Sequence, residues 1–268
     1  MGTLRKNIAR REMGEPQMNK KIDSKELGTP GQVLVDVQHL EKRYGSTVAV
    51  RDVSFTLHQG EVLALVGRNG AGKTTLMRMI ADESEPSSGS IHHTTNHLMY
   101  VPDETILYEH LTGREFLHFI CVMSGIDKRQ MKEVVTTHLE KCHLIKSSNQ
   151  LTKTYSLGMR RQLSIAAALI KNPDILILDE ITNGLDPVAN AEVKQQLRSL
   201  ANQGTAILLS SHLLDVVGDI ADRILVMDAG AIRYVGPLPE SVRDVTGSRN
   251  QSLEQFYLSL LSHEEAES

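Results

Sequence analysis

VLALVGRNGAGKTT, from Val62 to Thr75, reads as an apolar strand running into a glycine-rich loop that closes on Lys-Thr. The helix-like stretch LMRMIADE follows it. A strand, a glycine-rich loop and a helix in that order form a cradle for a nucleoside triphosphate. Glycines at 67, 70 and 72 let the backbone curl so that successive N–H groups point inward at phosphate oxygens. The following helix aims its positive end at the same anion. On this reading Gly67, Arg68, Asn69, Gly70, Ala71, Gly72, Lys73, Thr74 and Thr75 line the phosphates of ATP or GTP. Lys73 reaches the β- and γ-phosphates, and Thr74 offers its hydroxyl to Mg2+. A glycine-rich turn with a chance Lys-Thr is the bland alternative, and the strand ahead of the loop argues against it.

Upstream, VLVDVQHLEKRY and TVAVRDVSFTL alternate from Val33 to Leu57 as strands of a half-exposed antiparallel sheet. Downstream, Glu85 to Gly89 breaks the chain, and a short strand region leads to Tyr100-Val101-Pro102. Residues from about 104 to 171 turn helical. Thr112 and Glu115 form a capping box for a helix bearing Phe116, Leu117, Phe119, Ile120 and Met123, ending near Gly125. A second helix is expected to open at Asp127, with Met131, Val134, Val135, Leu139 and Cys142 on one face. A third runs from Leu157 to Lys171, with Ser156 placed to cap it. ILIL at 175–178, AILL at 206–209 and RILVMD at 223–228 are buried-strand runs separated by helical segments. That alternation predicts an α/β fold with a parallel sheet covered on both faces. Ser252 and Gln255 read as the box of a last amphipathic helix carrying Leu253, Phe256, Tyr257 and Leu260.

The predicted organisation is a basic tail over residues 1–31, a nucleotide-binding domain over 32–240, and a C-terminal helix and tail over 241–268. The domain comprises an N-terminal antiparallel β subdomain, the parallel core and an inserted helical subdomain at about 104–171. A chain of 268 residues is long enough for such a core. A net charge of −4 gives no electrostatic footprint for nucleic acid. No run approaches the roughly eighteen consecutive apolar residues of a spanning helix, so work at a membrane needs another chain. Cys121 and Cys142 lack metal-ligand spacing and are expected to be buried and reduced. Arg5, Lys6, Arg10 and Arg11 precede no apolar core, which excludes a secretory signal, and Met18 is an alternative start.

Asp179 and Glu180 close the strand Ile175 to Leu178. A carboxylate at the carboxyl end of a buried parallel strand lands beside the phosphate loop, where Mg2+ needs it. Asp179 is therefore assigned to the metal, and Glu180 to the attacking water. A surface acidic pair at a strand end is common, and the phosphate loop tips the balance toward chemistry.

YSLGMRRQ (Tyr155 to Gln162), NGLDP (Asn183 to Pro187) and SSH ending at His212 narrow the field. With these motifs the chain resembles the ATPase subunits of ABC transporters from about Val33 to Gly236. The resemblance implies a RecA-like P-loop NTPase core and assigns further roles. Tyr44 corresponds to the aromatic that stacks on adenine. Ser156, Leu157, Gly158 and Met159 match the signature that caps the γ-phosphate of ATP held by a second subunit. Asp186 matches the loop residue at the dimer interface, and His212 the switch histidine on the γ-phosphate. Asp103 stands where the family has a metal-contacting glutamine, and is expected in the Mg2+ set with Thr74 and Asp179. Ile181 replaces the usual proline after the glutamate. The signature variant Ser-Leu-Gly-Met resembles the branch of single-domain ATPases paired with separate exporter permeases.

The resemblance thus implies an ATPase, with Lys73, Glu180 and His212 catalytic, that powers export of a drug, antimicrobial peptide or lipid. It would sit on the cytoplasmic face of the membrane, against polytopic permease subunits and a second ATPase subunit, first of all another copy of itself. The alternatives are a soluble ABC ATPase of the iron–sulfur, repair or translation type, and a subunit that binds ATP without turning it over.

Overall fold

The computed structural model describes residues 31–104, 107–238 and 249–262. The basic tail and the chain end expected from the sequence lie outside these residues. β1 (Val33–Tyr44) and β2 (Thr47–His58) form an antiparallel hairpin, and β4 (Ser88–His93) pairs with the other edge of β1. The second sheet has six strands in the order β5-β6-β7-β3-β8-β9. Here β3 is Val62–Val66, β5 Leu98–Val101, β6 Ile175–Leu178, β7 Ala206–Ser210, β8 Arg223–Asp228 and β9 Ala231–Pro237. All its pairings are parallel except β8 with β9.

Every residue of β3, β6 and β7 is buried, as their unbroken apolar runs require. One face of the sheet, through Leu63, Leu65, Ile177 and Leu208, packs on α1 (Lys73–Ile80) and on the small sheet. The opposite face, through Leu176, Leu178, Ile207 and Leu209, packs on α5 (Pro187–Asn202) and α6 (Leu214–Ile220). A separate core joins α2 (Gly113–Met123), α3 (Met131–Lys141) and α4 (Leu157–Leu169). α4 belongs to both layers. Its Leu163 and Ala166 face the helical core, whereas Ile165, Ala168 and Leu169 face the sheet. α7 (Arg249–Ser262) lays Leu253 and Phe256 on α6 and β9, with Phe256 edge-on to Tyr234 at 5.1 Å.

The strand order positions the site. β7 lies between β3 and β6, so the phosphate loop, the Asp179-Glu180 pair and the Ser211-His212 pair emerge side by side at one edge. Ligand crevices of open α/β sheets form at these carboxyl ends.

Five details differ from the sequence expectation. β9 completes the sheet through a tight hairpin at Ala229-Gly230, both with positive φ (46° and 82°), as a two-residue turn of this hand demands. Its alternating, half-exposed AIRYVGP gives a weaker signal than the apolar runs. α3 begins at Met131, because Asp127 closes a separate turn with its carboxylate on the Arg129 N–H at 2.8 Å. α4 stops at Leu169 rather than Lys171. α7 starts at Arg249, which puts Ser252 inside the helix instead of at its cap. Met123 is 69% exposed and outside the core that claims Cys121 instead.

The capping box at α2 is present. Thr112 Oγ1 accepts from Glu115 N at 3.2 Å, and Glu115 Oε2 accepts from Thr112 N at 2.8 Å. The Thr112 N–H, then its hydroxyl, hold the Glu115 carboxyl below its usual pKa. Thr112→Ala is expected to lower the unfolding free energy by about 1 kcal/mol, read from the urea midpoint. A depressed folded pKa stabilises above the unfolded pKa and is lost as pH falls through the folded value, so this difference shrinks in acid.

Candidate functional site

The loop after β3 depends on two close approaches. A side chain on Gly67 would meet the Met227 carbonyl oxygen at 2.4 Å, and one on Gly72 the Ala49 carbonyl oxygen at 2.4 Å. Gly72 also has φ +100° and opens α1. Arg68, Asn69 and Gly70 form an exposed rim, Ala71 is buried, Thr75 is half-buried, and Thr74 is exposed at the first turn of α1. Lys73 folds back beneath the loop, only 6% exposed. Its Nζ donates to the carbonyls of Gly67 at 2.8 Å and Arg68 at 3.4 Å, and lies 3.4 Å from Glu180 Oε1.

Glu180 draws the neighbouring strands together. Its other oxygen accepts from Asn183 Nδ2 at 2.8 Å and lies 3.0 Å from His212 Nδ1. The side chains of Lys73, Glu180, Asn183 and His212 thus meet beside the phosphate loop. Glu180 has φ +48°, unusual for a residue with a side chain. Asp179 is 1% exposed, and its carboxylate accepts from Ser210 Oγ at 2.6 Å and Tyr100 OH at 3.3 Å. Burial, then the negative charge of Asp179, push the Tyr100 phenol up to about 12. Tyr100 is therefore a hydrogen-bond donor throughout the neutral range.

Asp103 does not join this group. Its carboxylate is bound by Arg161 Nη2 of α4 at 2.6 Å, and the same guanidinium reaches the carbonyls of Pro102 and Asp103. A guanidinium buried to 4% exposure needs counter-charge and acceptors, and Asp103 supplies both. Asp103, expected in the Mg2+ set, is here ion-paired with the signature helix.

Ser156 caps α4, accepting from Met159 N at 3.2 Å, and remains exposed. Leu157 lies over Gly184, whose added side chain would meet it at 2.8 Å. Gly158 faces Ala189 and Leu185. The signature end of α4 therefore rests on the loop carrying Asp186. Asp186 itself caps α5, accepting from Val188 N and Ala189 N at 2.9 and 3.0 Å. Tyr44, at the end of β1, is 54% exposed with Lys42 Nζ 5.1 Å from its ring centre. Ser210, Tyr100, Asn183 and Arg161 were inside stretches quoted from the sequence, but no spacing rule marks them as partners of the acidic pair.

The family model of the ABC transporter matches residues 50–183, from β2 through the phosphate loop and signature to Asn183. The chain belongs to the ABC transporter ATP-binding family. It is 37% identical over 209 residues to the bacitracin transport ATP-binding protein BcrA of Enterococcus faecalis, covering 74% of this chain and 67% of that protein. A solved ATP-binding subunit of an ABC transporter superposes with a TM-score of 0.75 at 28% identity, covering 85% of this chain and 100% of that one. A dimeric ATP-binding cassette bound to ADP and Pi, at 20% identity and a TM-score of 0.70, covers 77% of this chain and 99% of that one and shares the fold. This ABC ATPase binds ATP and hydrolyses it as the nucleotide-binding subunit of a transporter.

Gly72→Ala would force a side chain into an unfavourable φ and against the Ala49 carbonyl. It is expected to cost about 1–3 kcal/mol, measured by urea unfolding, and to weaken binding of a fluorescent ATP analogue.

Proposed function

We propose that Lys73, Glu180 and His212 perform the hydrolysis, and that two copies of this ABC ATPase close head to tail around two ATP molecules. The observation that carries the reading is the bridging of Lys73 and His212 by the Glu180 carboxylate. Both are donors suited to a γ-phosphate, and Glu180 is the anion they share. ATP brings a stronger anion to Lys73 and His212, which releases Glu180 toward the attacking water. A water oxygen then bonds to the γ-phosphorus as the bond to the β,γ-bridging oxygen breaks, leaving ADP and phosphate. Glu180 orients the water and takes its proton, Lys73 offsets negative charge on the β- and γ-oxygens, and His212 donates to the γ-phosphate.

Asp179 and Thr74 fit Mg2+. Both offer oxygen, the Asp179 carboxylate is oriented by Ser210 and Tyr100, and Mg2+ customarily takes few protein ligands beside the substrate phosphates. When bound, the ion neutralises charge on the phosphate oxygens. The exposed Tyr44 ring is the adenine platform, and the backbone of residues 67–75 holds the phosphates.

The exposed Ser156 hydroxyl, with Leu157, Gly158 and Met159, faces the γ-phosphate of the second copy, and Asp186 lies at the seam. Support comes from the free face of the α4 N-terminus, an anion site with no phosphate of its own chain assigned to it. Among the described residues no helix is long and apolar enough to cross a membrane. The transporter's membrane part is assigned to separate polytopic permease subunits, against which this chain sits on the cytoplasmic face. Tyr108, Val122 and Met123 form the docking surface, each more than half exposed on or beside α2, with Tyr108 edge-on to Phe119 at 5.2 Å. The bacitracin-named relative and the signature variant support export, with a drug, antimicrobial peptide or lipid as cargo.

Glu180→Gln is expected to reduce turnover by about 100-fold or more while ATP still binds. Equal slow turnover in wild type and variant would overturn the assignment. Val122→Asp combined with Met123→Asp is expected to abolish co-purification with a polytopic membrane protein while nucleotide binding persists. Retained co-purification would place the docking surface elsewhere.

A further inference from the structure

Ser210 is fully buried at the last position of β7, two residues before His212. Its hydroxyl proton goes to Asp179 Oδ1 at 2.6 Å, and its oxygen accepts the backbone N–H of Glu180 at 2.8 Å. One hydroxyl thus ties the side chain of the first carboxylate to the backbone of the second. We infer that Ser210 is a positioning residue of the ATPase, fixing the angle between the metal carboxylate and the water-side carboxylate. The inference rests on the roles proposed above for Asp179 and Glu180.

The geometry gives the peg a task that packing alone would not. Glu180 sits at φ +48°, a sparsely populated region in which a residue with a side chain persists only when its surroundings hold it. The Ser210 hydrogen bond restrains the peptide unit that enters this conformation. Among the described residues the other side-chain partner of the buried Asp179 carboxylate is Tyr100, at the longer 3.3 Å, so losing the hydroxyl removes the shorter of its two restraints. Because Ser210 lies on the strand leading to His212, the same peg sets β6 and β7 chemistry in common register.

The test compares Ser210→Ala, Ser210→Cys and Ser210→Thr with wild type and Glu180→Gln in the full chain. Turnover is one readout. The other is the Mg2+ concentration that half-saturates binding of a fluorescent, non-hydrolysable ATP analogue. Ser210→Ala is expected to lower kcat by about 10- to 100-fold, as small displacements of reacting groups do. It should also raise the Mg2+ requirement while leaving metal-free nucleotide affinity unchanged. Ser210→Cys, close in size but a weak donor, should share the defect, and Ser210→Thr should restore both readouts. Wild-type kcat and Mg2+ requirement in folded Ser210→Ala or Ser210→Cys overturn the inference, Ser210→Cys deciding should the alanine variant not fold. If Glu180→Gln is inactive while Ser210→Cys is normal, only the Ser210 inference fails. If Glu180→Gln turns over normally, the underlying reading fails instead.

Discussion

A lysine ammonium withdrawn from water must find acceptors and an opposite charge, and the site of this protein is organised around that need. Lys73 is almost fully buried, held by the carbonyls of Gly67 and Arg68 and faced by Glu180. Desolvating a lone ammonium costs several kcal/mol, so the loop can keep its lysine only with such partners in place. The carbonyls come from the loop itself, whereas the carboxylate comes from β6, reached across β7. The phosphate loop is therefore shaped by a strand that lies more than a hundred residues away in sequence. The same carboxylate also lies 3.0 Å from His212, so one anion serves both cationic donors of the site.

The Glu180 carboxylate is tied to the signature end of α4 by a short run of contacts. Glu180 is bonded to Asn183, which opens the loop under the signature end of α4. That end rests on Gly184 and Ala189 through Leu157 and Gly158. About one turn along, the buried guanidinium of Arg161 clasps Asp103 and the segment leaving β5 toward the helical layer. α4 thus contacts the acidic strand end, the Asp186 loop and the chain entering the exposed Tyr108–Met123 surface.

Elements with strong local signatures were legible before any coordinates. The apolar strands, the phosphate loop, the Thr112–Glu115 box and the Ser156 cap each announce themselves within a few residues. β9 escaped because a half-exposed strand after a tight Ala-Gly turn has no unbroken apolar run. The C-terminal helix begins at Arg249, ahead of the cap expected at Ser252. The partner of Asp103 was hidden for a different reason: Arg161, whose buried guanidinium needs a counter-charge, lies on a helix far along the chain.

Side-chain chemistry and its spacing along the chain were enough to establish a triphosphate cradle, an acidic strand end and an α/β architecture, because each depends on neighbours within one turn or one strand. They were also enough to place the chain in its family. Tertiary structure alone settled which residues share a proton or a charge: Ser210 with Asp179 and Glu180, Lys73 and His212 with Glu180, Arg161 with Asp103. Those pairs join strands and helices distant in the chain. Their distances follow from strand order and the filling of both sheet faces, which no local pattern encodes.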